Sequence, residues 1–292
     1  FPAEIVYLKN HDPAKNGLRA VRANSLASAS NKFFAKKGEI LEISFDARAA
    51  LPSEMDDDVK LPLKEFANMG FADETPADGI GGWTDEGKSK SLKKFSGKIG
   101  EQKFEDISFN IIDPNLNGGA AVMTFKSKKS PTTLSRALID LSQTPVKGRF
   151  IYLLHTVSKT PKLSKNEPVG AIIINYTDGK REVFNVRYGI EVGDCWQADN
   201  SLRNAKIAFL SSKKKNRGAV YLTHVALDNG RTVNNIEFTT YGKAPWVVAA
   251  ATISDKKVIT CETTTPKDNP DWVIADMPAD ATVIKGSALD VS

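Results

Sequence analysis

Cysteine is scarce: Cys195 and Cys261 are the two in 292 residues. Two thiols make no disulfide framework, so packing has to hold the core, and a single Cys195–Cys261 bridge stays open in an oxidising compartment. No CxxC pair and no Cys/His cluster occurs, which removes the usual zinc spacings. Histidine is limited to His11, His155 and His224. His155 closes an apolar run and reads as a hydrogen-bonded core residue rather than a base. No apolar run approaches the ~18–20 residues a membrane helix needs. A GxSxG elbow, an HExxH pair, a P-loop and a dinucleotide fingerprint are all missing, so the common hydrolase and nucleotide machinery is excluded. Glycosidases work with two carboxylates. Spacing singles out no such pair among the 35 acidic residues, so no catalytic residue is named and the chain reads as non-catalytic.

Charge of one sign is also lacking. The 40 basic and 35 acidic residues leave a net +5. Basic clusters at Lys88–Lys94, Lys126–Lys129 and Lys213–Arg217 contain almost no aromatics. Nucleic-acid surfaces interleave basic and stacking residues, so these clusters read as solvated loops and nucleic acid is not expected as a partner. A hydrophobic share of 41% with 26% charged residues excludes a disordered chain.

What is present is alternation. Short runs of apolar and polar residues, broken by tight turns, carry the period of two that a β-strand requires. Residues 171–188 show it best. Ile172, Ile174 and Tyr176 share one face, Phe184 and Val186 follow on a return strand, and Asp178-Gly179 predicts a two-residue hairpin turn between them. Further strands are expected at Arg149–His155, Ala205–Leu210, Ala219–His224, Asn235–Tyr241 and Trp246–Ile253. Upstream they are expected at Glu4–Leu8, Leu18–Ala23, Glu39–Ala49, Ile107–Ile112 and Ala121–Phe125. Helical patterning is weak, with a short helix expected at Thr132–Leu141 and one turn at Leu61–Met69. The fold class is therefore all-β, an antiparallel β-sandwich of jelly-roll-like character.

The acidic stretch Pro52–Asp58 and the polar stretch Ser254–Lys257 mark boundaries. They divide the chain into an N-terminal β segment (1–56), a main sandwich (57–255) and a C-terminal β segment or linker (256–292). Either flank is too short to bury a core alone. They are expected to pair as a second, partial sandwich or to belong to further domains of a longer polypeptide.

Residues 70–87 hold five glycines, three aspartates and one tryptophan. Such a loop is shaped by its glycines. Asp73, Asp78 and Asp85, helped by Glu74 and Glu86, offer oxygens to a hard cation, so structural calcium is a candidate; the plainer reading is aspartate–glycine turn chemistry with no ion. No other cofactor is expected. Trp83 in this loop and Trp196 after the Gly193-Asp194 turn are candidate platforms for sugar rings, with Asp78, Asp85 and Asp194 accepting hydroxyl hydrogen bonds. A lone loop tryptophan more often caps the open end of the core, and finding two in glycine-rich loops narrows that preference without reversing it.

Three segments together give the chain a family likeness. They are Gly70–Gly87 continued by Phe104–Pro114 and Asn117–Gly119; Ile151–Thr156 with Tyr176–Gly179 and Tyr188–Trp196; and Ile236–Thr240 with Val247–Ile253. Over about residues 66–254 they resemble an accessory β-sandwich module of extracellular bacterial glycoside hydrolases and related polysaccharide-handling proteins. Two positions depart from that pattern. Cys195 stands where the module favours a first tryptophan, and His224–Gly230 stands where it tends to carry Trp-Asn-Pro. Both departures remove aromatic surface. The resemblance implies a noncatalytic carbohydrate-binding or structural module of an exported protein, extracellular, at the cell surface or periplasmic, with a glycan and further domains as partners. The alternatives are a glycoside hydrolase with its own cleft and a cell-surface sandwich that makes protein contacts.

Overall fold

In a computed structural model of the chain, residues 58–128, 130–158, 163–211 and 218–257 are described. The chain divides into two compact units, Phe1–Pro52 and Ser53–Ser292, and every described residue belongs to the second. The strands expected before residue 58, the pairing of the two flanks and Cys261 lie outside the described residues.

The described chain is all β. Its strands are β1 (Val59–Lys60), β2 (Gly100–Phe104), β3 (Ile107–Ile111), β4 (Met123–Phe125), β5 (Arg136–Asp140) and β6 (Phe150–Val157), then β7 (Pro168–Tyr176), β8 (Arg181–Arg187), β9 (Ala205–Leu210), β10 (Ala219–Ala226), β11 (Val233–Thr240) and β12 (Trp246–Ser254). One sheet runs β1-β12-β6-β10-β9, with β4 beside the first half of β12; a second runs β5-β11-β7-β8; β2 and β3 form a separate hairpin. Every pairing between these strands is antiparallel. Short 3-10 turns supply the remaining regular structure, and among the described residues no helix is long and apolar enough to cross a membrane.

The two larger sheets meet face to face. Strand β6 is buried along its whole length, as its unbroken apolar run requires of a central strand. Trp246 of β12 marks the contact between the sheets. Its ring stacks on Phe125 at 5.0 Å and tilts against Phe238 of β11 at 6.1 Å. On the opposite sheet it presses onto Gly170 of β7, where an added Cβ would lie 2.6 Å from the indole. Glycine at this position therefore makes room for the tryptophan. Gly170→Ala is expected to lower stability by about 1–3 kcal/mol through overpacking; an unchanged denaturant midpoint would show that the sheets shift apart without cost. The β2–β3 hairpin packs on the six-stranded sheet, where the Thr252 hydroxyl donates to the Ser108 carbonyl at 2.8 Å. The Ser108 N–H in turn donates to the Asp58 carboxylate at 2.8 Å.

Two local expectations are corrected. Thr132–Leu141 is not helical: β5 occupies Arg136–Asp140 as an edge strand, pairing Ala137 with Phe238 and Ile139 with Ile236. Its alternating burial satisfies a sheet that no local propensity announces. The β7–β8 connection is a three-residue loop, Thr177-Asp178-Gly179, closed by Tyr176 N–H donating to the Lys180 carbonyl at 2.9 Å. A two-residue type I′ turn needs positive φ at both central residues. Here Gly179 has φ +85° while Asp178 is not in the left-handed region, so the turn is type I with the glycine as a bulge.

Candidate functional site

Asp73, Asp78 and Asp85 come together. An oxygen of each lies within 4.8 Å of the others, with Asp73 and Asp85 buried and Asp78 exposed. Each carboxylate also holds the loop. Asp73 accepts from Thr75 N–H at 3.1 Å and from Gly87 N–H at 2.7 Å. Asp85 accepts from Gly79 N–H at 3.3 Å and from the Thr132 hydroxyl at 3.2 Å, and Asp78 accepts from Ile80 N–H at 3.0 Å. Burial raises the pKa of Asp73, with repulsion from Asp85 and Asp78 adding to it and the two N–H donors opposing. Burial likewise raises Asp85, with repulsion from Asp78 adding. A cation would relieve that repulsion. Three carboxylates and one hydroxyl fall short of the six to eight oxygens calcium takes, so backbone carbonyls and water would have to complete the shell. What the geometry shows directly is aspartate–glycine turn chemistry.

Trp83 is enclosed, with no exposed surface. Its ring sits 6.1 Å from Phe71 and 5.7 Å from Phe95. Its carbonyl accepts from Thr124 Oγ1, and its indole N–H has no partner of good geometry and lies beside the Cys195 thiol. It caps the core and offers no face to a ligand, which corrects the platform reading. Cys195 is itself buried and free, and burial pushes its thiol up to about 12, so it is not a thiolate nucleophile. Trp196, the next residue, is half-buried. Cys195, beside the Trp83 indole and next to Trp196 in the chain, links the two tryptophan loops.

Beside that link is a small cavity of about 230 Å³, lined by Lys165, Tyr188, Gly189, Gly193, Asp194, Asp199 and Leu202. Its frame is rigid. The Tyr221 hydroxyl accepts from Asp199 N–H at 3.0 Å and donates to the Asp194 carbonyl at 3.2 Å, tying two loops to β10. Gly193 packs against that same ring, where an added Cβ would lie 2.4 Å from it. Beneath, Glu191 is buried and held by Arg187, whose Nε donates at 2.9 Å, and by Asn204 Nδ2 at 3.0 Å. The Asp194 carboxylate caps Trp196 N–H at 2.9 Å. Asp199 accepts from the Ser201 hydroxyl at 2.6 Å and from Ser201 N–H at 2.8 Å, and the hydroxyl bond lowers its pKa most.

Of the residues singled out from sequence, Asp194 lines this cavity, Trp196 adjoins it, and Asp78 and Asp85 belong to the acidic loop instead. Lys165, Tyr188 and Asp199 were missed. The paired pattern Asp194-x-Trp196 and Asp199-x-Ser201, two side chains each capping the N–H two residues on, is the one signal that points to Asp199. A scan against models of known protein families finds no match, and a search among curated proteins finds no relative.

Proposed function

We propose that this sandwich is a noncatalytic accessory module of an exported polysaccharide-processing protein and that it holds one sugar ring in the Asp194–Asp199 cavity. The observation that supports it is the composition of that cavity. Two carboxylates accept hydrogen bonds from sugar hydroxyls, the Lys165 ammonium donates, and Tyr188 covers an apolar ring face. The volume is below the ~300–1,000 Å³ of drug-sized clefts, which suits one ring of a chain passing over it. Binding is favoured over hydrolysis because a general acid needs a raised pKa, and the Ser201 hydrogen bonds move Asp199 the other way.

Titration calorimetry against a panel of neutral and acidic oligosaccharides tests the reading. Asp194→Asn keeps an oxygen to cap Trp196 and removes the charge; Tyr188→Ala removes the ring. Each is expected to weaken binding by ~10-fold or more with an unchanged circular dichroism spectrum, the effect of losing one charge-assisted hydrogen bond or one ring contact. Binding that ignores both substitutions would place the site elsewhere. Sugar release abolished by Asp199→Asn would replace the reading with hydrolysis.

A further inference from the structure

The basic cluster Lys88–Lys94, read from sequence as a solvated loop, belongs to a stretch, 88–98, that is folded against Trp196. It forms two 3-10 turns, Lys88–Lys90 and Lys93–Lys98. Leu92 and Phe95 point inward and anchor it. Phe95 meets Phe209 edge-on at 5.0 Å and Phe71 at 5.8 Å. Leu92 closes on Gly218, where an added Cβ would lie 2.1 Å from its Cδ1 and 3.5 Å from the Trp196 ring. With these two residues turned in, Lys93 and Lys94 are held exposed. Lys90 carries its ammonium 5.3 Å from the centroid of the Trp196 ring. Lys88 pairs with Glu74 at 3.4 Å, whereas Lys90, Lys93 and Lys94 have no carboxylate partner among the described residues. Cations with no carboxylate partner among the described residues therefore stand on a turn anchored by Leu92 and Phe95, with Lys90 over a partly buried indole, and Asp194, which lines the cavity, caps that tryptophan's backbone N–H.

We infer that the glycan bound here is acidic, carrying carboxylate or sulfate groups, and that Lys90, Lys93 and Lys94 pair with anionic groups of the same chain outside the cavity. This rests on the glycan reading above. The two regions sort charge. A cavity with two carboxylates disfavours an anion and takes hydroxyls, while the lysine turn attracts the acid group. A nucleic acid fits less well. Its phosphates would run past Asp194 and Asp199, and the one indole on this turn lies under Lys90 rather than in a row of stacking rings.

The test uses the full chain in affinity electrophoresis and calorimetry against polygalacturonate for carboxylate, dextran sulfate for sulfate, a neutral dextran and a single-stranded DNA oligonucleotide. At least one acidic polysaccharide is expected to bind more tightly than neutral dextran, and raising sodium chloride from about 0.05 to about 0.5 M is expected to weaken it by ~10-fold or more, because exposed pairs are screened. Lys93→Glu/Lys94→Glu is expected to reduce that binding by ~10-fold or more, and the charge-matched control Lys103→Glu/Lys147→Glu to leave it nearly unchanged. Equal loss in both double variants would mean net charge alone is read and would overturn the lysine site. DNA binding as tight as the best polysaccharide, and equally sensitive to the Lys93 and Lys94 changes, would overturn the acidic glycan. Binding of neutral glycans alone, sensitive to Tyr188→Ala, would overturn this inference and leave the cavity reading standing. No binding to any glycan would overturn both.

Discussion

Lowering the pH from about 6.5 to about 4 is expected to weaken the fold by about 3 kcal/mol through His155 alone. His155 is completely buried. Its Nδ1 accepts from the Trp246 indole N–H at 3.2 Å, so the ring proton sits on Nε2 and donates to the Glu191 carbonyl at 3.0 Å. Both nitrogens are used in the neutral form. A proton on Nδ1 would break the Trp246 bond and leave a charge beside the inter-sheet core. Burial lowers the pKa to about 3, against an ordinary 6.5. The folded form thus refuses a proton that the unfolded chain accepts. Stability from His155 is fully present above the unfolded pKa of 6.5 and falls as pH drops from there toward 3. His224 adds to the slope in the same direction, since burial lowers it to about 4. Asp73 and Asp85, with raised values, gain protons on folding and oppose the slope at lower pH. Denaturant titrations across this range measure the dependence. His155→Gln keeps an amide donor for the Glu191 carbonyl and cannot titrate, so its curve should be flatter by about the His155 share. An identical slope in the variant would assign the acid sensitivity elsewhere.

Trp83→Ala is expected to cost about 3–5 kcal/mol of stability, the range for removing a buried aromatic. The ring has no exposed surface and is wedged between Phe71 and Phe95, which in turn supports Phe209 of β9 and the lysine turn. Little of that space can collapse, because the Trp83 carbonyl is fixed to Thr124 of β4 and the loop around it is stapled by the three aspartates. The measurement is the denaturant midpoint together with glycan titration at a temperature where the variant stays folded. Lost stability with binding intact agrees with a core cap. A stability changed by less than about 0.5 kcal/mol, with binding abolished, would restore Trp83 as a platform.

The sequence spoke clearly wherever burial repeats along one strand. Phe150–Val157 and Trp246–Ser254 are long apolar runs, and any strand so apolar must be covered on both faces. The Asp178-Gly179 hairpin was legible for the same reason, although its turn type depended on the φ of one aspartate. At Arg136–Asp140 the letters suggested a short helix, and the strand came from pairing with β11, a partner about one hundred residues away.

The site divides the same way. Composition alone marked Asp73, Asp78 and Asp85 as a group, because a dense run of aspartate and glycine within one loop cannot spread far apart. It marked Asp194 and Trp196 as well. It could not say that Trp83 is enclosed, since exposure depends on Phe71 folding back within the loop and on Phe95 and Cys195 arriving from two other segments. Nor could it join Lys165, Tyr188 and Asp199 into one cavity, which the Tyr221 hydroxyl and the packing of Gly193 bring about. Local pattern determined the long apolar strands, the place of the β7–β8 hairpin and the acidic loop, because these depend on neighbours in the chain. Only the tertiary structure decided which tryptophan is core, which histidine proton is held and where the lysines stand, because each depends on contacts between residues far apart in sequence.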